Sequence, residues 1–145
     1  MQEVSVIIPN FNGMAYLDGV LAGMECQTVN NFEVILVDNG SSDGSCAFVA
    51  ARYPWVHLIE LPENYGFCKA VNEGIKASRA PYVLLLNNDI EVTENFIEEM
   101  TSAIKRHPKA FSCAARMIQF HDRDRLDDAG NYYCALGWAY ARGKG

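Results

Sequence analysis

Apolar residues along this chain fall into short unbroken runs, closed by polar or glycine-rich turns and separated by stretches with helical spacing. Residues 4–9 (VSVIIP) read as a β-branched strand stopped by proline, and 10–13 (NFNG) as a turn. Leu17, Val20, Leu21 and Met24 then recur at i, i+3, i+4 and i+7, one apolar helical face, with Asn12 a candidate cap. Residues 32–38 (FEVILVD) predict a second buried strand ending on Asp38, and 39–44 (NGSSDG) a turn before a short helix reaching about Tyr53. A third strand is expected over 56–61 (VHLIEL), followed by a helix carrying Phe67, Ala70, Val71, Gly74, Ile75 and Ser78 on its packed side. Residues 82–86 (YVLLL) lack alternation and predict a strand buried on both faces, as inside a parallel sheet. Thr93 is expected to cap a helix with Phe96, Ile97, Met100, Ala103 and Ile104 as its face, and 111–118 to form a fifth strand.

This alternation predicts an α/β fold: a mostly parallel sheet in the spatial order 3-2-1-4, right-handed crossovers and helices on both faces. Beyond residue 118 the pattern weakens into a charged loop (121–125, HDRDR) and a segment rich in Gly, Tyr and Ala.

The 145 residues suffice for one domain with a proper core. A net charge of −6 without a Lys/Arg stripe argues against nucleic acid. It also constrains any phosphate ligand, because an acidic chain holding a diphosphate needs a local basic pocket or a metal. No basic cluster lies near the strand ends, which favours a metal. The five cysteines (Cys26, Cys46, Cys68, Cys113, Cys134) show no CxxC pair or zinc-site spacing, so reduced thiols in a cytoplasmic protein are expected. A strand begins almost at residue 1, leaving no room for a signal peptide, and no apolar run approaches the ~20 residues of a membrane span.

The candidate chemistry sits at the strand ends. Pro9 and Asn10 follow the first strand, Asp38 the second, Asn64 to Phe67 the third, and Asn87, Asn88 and Asp89 the fourth. In a parallel sheet all of them share one edge, and a strand order that reverses beside the first strand opens a crevice there. Asp38 can accept from the ring N–H of a pyrimidine, beside an Asn10 amide able to donate and accept; an Asx-turn or helix cap is the competing reading of Asp38. For Asn10 and Asn12, capping competes with ligand contact. Asn88 can bond a ribose hydroxyl, and Asp89 can ligate Mg²⁺ or Mn²⁺ that bridges to phosphates. Lys69 can reach a phosphate, although Lys69 and Arg79 also read as solvated. His57 reads as structural within its strand, and His107 as a charge at a helix C-terminus. His121 with Asp122, Asp124, Asp127 and Asp128 reads as a solvated loop more readily than as a second acidic site. The chain has no GxGxxG after the first strand, no GxxxxGK[ST] and no GxSxG, which excludes dehydrogenase-type, P-loop and α/β-hydrolase sites.

Residues 5–12 (SVIIPNFN), Gln27 with Thr28, 33–45 (EVILVDNGSSDGS), 64–67 (NYGF) with Ala70 and Asn72, and 84–89 (LLLNND) together resemble family 2 glycosyltransferases. The NND variant of the DxD motif, with 127–130 (DDAG) downstream, is most similar to a rhamnosyltransferase-like branch. The resemblance implies a GT-A type, Rossmann-like fold and inverting transfer from a nucleotide-diphosphate sugar, UDP- or dTDP-linked and dTDP-rhamnose among them. The acceptor would be a glycan or lipid-linked hydroxyl. It implies a nucleotide site of Pro9, Asn10, Asn12, Asp38, Gly66, Lys69, Asn72, Asn87 and Asn88, with Asp89 holding Mg²⁺ or Mn²⁺. Asn39 stands where the family carries the second residue of an Asp-Asp pair. The family's later half, with a Gly-Gly-Phe-Asp-like segment and a Glu-Asp motif carrying the general base, has no counterpart after Gly130. The expectation is therefore a single C-terminally truncated domain, 1–118 its α/β core and 119–145 the start of an acceptor-side region. Peripheral membrane association at the inner face and homodimerisation through the uncovered last helix and fifth strand are compatible with that reading. A non-catalytic nucleotide-sugar-binding or assembly module is the alternative.

Overall fold

The computed structural model describes residues 2–128, 130–133 and 139–141. Met1, Ala129 and residues 134–138 and 142–145 lie outside the described residues, Cys134 among them. The chain divides into two compact units, Met1–Glu98 and Glu99–Gly145.

The first unit alternates β1 (Val4–Asn10), α1 (Met14–Glu25), β2 (Phe32–Asp38), α2 (Ser45–Arg52), β3 (His57–Glu60), α3 (Phe67–Ala77) and β4 (Tyr82–Leu85). Its four strands form one sheet in the order β3-β2-β1-β4, all parallel. In β1 and β2 polar side chains occur only near the ends, Ser5 opposite Glu33 and Asn10 opposite Asp38. Between them every residue is apolar, because each fully buried Ile, Leu or Val contributes roughly 1.5–3 kcal/mol on leaving water. Val4, Val6, Ile8, Val34 and Leu36 pack with Leu17, Leu21 and Val49 on one face, joined by Ile97. Ile7, Ile35 and Val37 pack with Ala70 of α3 on the other. Gly74 permits that approach, since a Cβ there would land on Ile7 Cγ2.

Gln27 and Thr28 owe their place to a clamp. The Gln27 amide donates to the carbonyls of Gly23 (3.0 Å) and Thr93 (2.8 Å) and accepts from the Ile97 N–H (2.9 Å). Thr28 N–H donates to the Glu94 carbonyl at 2.8 Å. The end of α1 is thereby joined to the start of α4 (Phe96–Arg106).

Several expectations are corrected. The 82–86 strand is not buried on both faces. β4 is the edge strand, with Val83 41% and Leu85 53% exposed while Leu86 is buried, because α3 packs over β1 and β2 and leaves that side half-open. Phe67 and Ile75 lie on the exposed side of α3, whose buried residues are Ala70, Val71 and Gly74. His57 is exposed at the start of β3. Asn12 does not cap α1: Gly13 occupies the N-cap. Thr93 acts through its carbonyl, and α4 starts three residues later at Phe96.

In the second unit the 111–118 strand of the parallel sheet is absent. Only β5 (Met117–Ile118) forms there, antiparallel to β6 (Leu126–Asp128). Phe111 is fully exposed, and the small residues 112–115 (SCAA) offer little apolar area to bury. β7 (Asn131–Tyr133) and β8 (Ala139–Ala141) make a second antiparallel pair. His107 follows the last turn of α4, its N–H on the Ile104 carbonyl. Among the described residues no helix is long and apolar enough to cross a membrane.

Candidate functional site

Parallel pairing aligns the C-terminal ends of the strands, with Asn10 opposite Asp38 and Asp38 opposite Glu60. A polar group buried there must find partners, and Asn10, Asp38 and Asn39 do. Asn10 Nδ2 donates to Asp38 Oδ1 at 2.8 Å and to Ser41 Oγ at 3.3 Å. Asn88 Nδ2, arriving from beyond β4, donates to Asn10 Oδ1 at 2.7 Å. Asp38 Oδ2 accepts the Ser41 N–H at 2.8 Å, which closes an Asx-type turn. Asn39 Nδ2 donates to Asn64 Oδ1 at 2.8 Å while its Oδ1 accepts the Tyr65 N–H at 3.0 Å. Asn64 Oδ1 also accepts the Gly66 N–H at 2.8 Å, just ahead of α3.

These amides floor a cavity of about 320 Å³ lined by Pro9, Asn10, Phe11, Asn39, Asn64, Gly66, Phe67, Ala70 and Asn88. It mixes apolar walls with a few fixed polar groups, the usual make-up of a small-molecule site.

The surrounding loops are latched together. Asn12 sits in left-handed backbone (φ 50°), its N–H donating to Ser41 Oγ and its Oδ1 accepting the Ser42 N–H. Asp43 serves two helices at once. Its Oδ2 accepts the Met14 N–H at the start of α1, and its Oδ1 accepts from the N–H and hydroxyl of Ser45 at the start of α2. The Ser45 hydroxyl, then the Met14 N–H, hold the Asp43 carboxyl below its ordinary range. Burial, then the carboxylates of Asp38 and Glu60, push the Cys46 thiol up to about 12.

Of the residues expected at the site, Pro9, Asn10, Gly66 and Asn88 line the cavity. Asp38 lies beneath its floor, only 2% exposed. Asn12 belongs to the latch. Lys69 pairs with Glu73 at 2.6 Å, and the Lys69 and Lys76 ammoniums draw Glu73 down to about 2. Asn72 is exposed on α3, and Asn87 and Asp89 are exposed in the turn after β4. Asn64 and Phe67, at the polar end of the third strand, also line the cavity, and Phe11, Asn39 and Ala70 complete it without having been assigned to it. The role of Gly13 was not anticipated either. A Cβ on Gly13 would land on Asn88 Nδ2 and Asn10 Oδ1, so only glycine leaves room for that hydrogen bond. Asn39 and Asn64 had a visible signal, two amides at neighbouring strand ends, but their pairing is a long-range contact.

Among the described residues no group of three or more His, Cys, Asp or Glu side chains is arranged to hold a metal ion. In the charged loop Asp122 pairs with Arg125 at 3.1 Å, and Asp128 accepts the Gly130 N–H. A divalent cation held at the strand ends would take most of its ligands from phosphates and water, as is common for Mg²⁺.

Residues 5–143 match the family model for Glycosyl transferase family 2. Glycosyltransferase GlyG of Streptococcus pneumoniae is 30% identical over 133 residues, covering 90% of this chain and 42% of GlyG. The crystal structure of S. aureus TarS 1-349 in complex with UDP superposes with a TM-score of 0.67 at 25% identity, over 74% of this chain and 33% of that one. The mannosyltransferase PcManGT from Pyrobaculum calidifontis, solved with GDP-Man and Mn²⁺, shares the fold at a TM-score of 0.66 and 23% identity, over 70% and 32% of the two chains. The chain spans less than half the length of each of these relatives.

Proposed function

The chain belongs to glycosyl transferase family 2, and on that premise we propose that its cavity binds the nucleotide of a UDP- or dTDP-sugar for inverting transfer to an acceptor hydroxyl. The amide-floored cavity at the ends of β1, β2 and β4 is the observation that carries this reading. Fixed amides offer paired donors and acceptors to a pyrimidine edge and a ribose, and Phe11 and Phe67 offer apolar walls. Asn10, Asp38 and Asn12 hold that surface in shape, and Asn87 and Asn88 stand toward the ribose and diphosphate. TarS, a relative of similar fold, was solved with UDP, which supports the nucleotide class.

Asp89 would hold Mg²⁺ or Mn²⁺, which when bound offsets the charge of the departing diphosphate. A net charge of −6 without a basic cluster at the strand ends favours such compensation. The NND sequence, with 127–130 downstream, supports a rhamnosyl donor through its resemblance to a rhamnosyltransferase-like branch. A glycan or lipid-linked hydroxyl as acceptor and a cytoplasmic site of action complete the proposal. No residue present is assigned the general base, whose contribution is typically about 10²–10⁴-fold. Residues 1–145 alone should therefore bind donor far better than they turn it over.

Calorimetric titration with UDP, dTDP, GDP and ADP, in Mn²⁺ and in EDTA, tests the reading. The pyrimidine nucleotides should bind more tightly than the purine ones, and Asn64→Ala should weaken them. Absence of binding by all four would overturn it.

A further inference from the structure

Asp38 is the buried charge that the cavity does not use. It is 2% exposed, absent from the lining, and each of its oxygens already accepts a hydrogen bond, from Asn10 Nδ2 and from the Ser41 N–H. A carboxylate can only accept. Asn10 must therefore turn its NH₂ toward Asp38 and its Oδ1 away. That Oδ1 accepts from Asn88 Nδ2, so the direction of the Asn88 amide is imposed in turn. Reversing Asn10 would set its carbonyl against the carboxylate and its NH₂ against the NH₂ of Asn88. One buried charge thus orders two successive amides, and the second of them faces the cavity. The bare Gly13 keeps the space in which the two amides meet.

We propose that Asp38 is a positioning residue of the nucleotide site, acting through Asn10 on the amide of Asn88, and that it does not itself contact the base. The proposal rests on the nucleotide-site reading above and specifies how that site is organised. Its consequence is that the site needs one carboxylate and one amide at positions 10 and 38, in either order. After exchange, a carboxylate at position 10 still accepts from Asn88, and an amide at position 38 donates to it while accepting the Ser41 N–H.

The test is UDP affinity for the full chain carrying Asp38→Asn, Asn10→Asp, or both. Each single variant should lose about tenfold or more, and the double variant should return to within about threefold of the unsubstituted chain. A double variant as weak as Asp38→Asn would overturn the proposal. N3-methyl-UDP provides a second reading: Asp38→Asn should weaken it and UDP by the same factor, whereas a loss confined to UDP would mean direct contact with the base. Should Asn10→Asp fail to fold, Asn88→Asp replaces it. Its loss should be shared with that of Asp38→Asn, and losses that multiply would break the chain of influence. In the ligand-free protein, Asp38→Asn should shift the ¹⁵N–¹H side-chain signals of Asn88; unmoved signals would refute the proposal whether or not any nucleotide binds. Failure of the unsubstituted chain to bind a nucleoside diphosphate would instead count against the glycosyltransferase reading.

Discussion

At the ends of β1 and β2, Asn10, Asp38 and Asn39 are 1%, 2% and 4% exposed, and each is held by two or more hydrogen bonds. At the end of β4, Asn87 and Asp89 stand in solvent, and Asn88 alone is tied back to the sheet. Both regions sit on the same edge of one sheet. The difference follows from strand position. β1 and β2 have neighbours on either side, whose loops supply partners for every polar group at their ends. Among the described residues β4 has β1 on one side only. The β1–β2 side of the cavity is therefore held in place by its own hydrogen bonds, which lowers the ordering cost for any ligand that binds there. The Asp89 turn stays open to solvent.

The comparison breaks most severely at Gly13. Gly13→Ala places a methyl group on the Asn10–Asn88 hydrogen bond, so it should cost about 1–3 kcal/mol in urea denaturation and weaken UDP binding about tenfold or more. Unchanged stability and binding would show that the floor can shift to accept it.

Chemical protection of the locked half gives a smaller, kinetic effect. Cys46 lies beside Asp38 and Glu60 and is pushed up to about 12, whereas Cys26, Cys68 and Cys113 are exposed. Pulse labelling with iodoacetamide at pH 8, followed by mass spectrometry, should modify Cys46 at least about tenfold more slowly than those three, because the thiolate is the reactive form. The sign of the linked stability follows. The folded thiol is raised above its ordinary value of 9.0, so its stabilising contribution is whole below pH 9 and is lost as pH rises toward 12. Labelling of Cys46 at the rate of the others would contradict this burial.

The open half should be the most tolerant in stability. Asp89→Asn should change denaturation by less than about 0.5 kcal/mol, as for an exposed surface position. Its effect belongs to binding: UDP affinity should become the same in Mn²⁺ and in EDTA. Affinity that still rises with Mn²⁺ would place the cation elsewhere.

The order of strands and helices in the first unit was legible along the chain, because a buried strand demands an unbroken apolar run and an amphipathic helix a 3.6-residue period. Both are properties of neighbouring residues. That polar groups gather on one sheet edge follows from parallel pairing, and Pro9, Asn10, Gly66 and Asn88, expected on that edge, line the cavity there. What surrounds each element was decided by tertiary structure alone. An apolar run does not say how many of its faces are covered, so 82–86 looked central and forms an edge with Val83 and Leu85 exposed. Asn12 has a cap's composition but was captured by Ser41 and Ser42, some 30 residues away. Asn39 found Asn64 across 25 positions, and Asn88 found Asn10 across 78. Asp38 shows the division most plainly. Its carboxylate at the end of a buried strand was written in the sequence, but whether that carboxylate faces a ligand or orders the amides above it depends on partners that only folding brings within 3 Å.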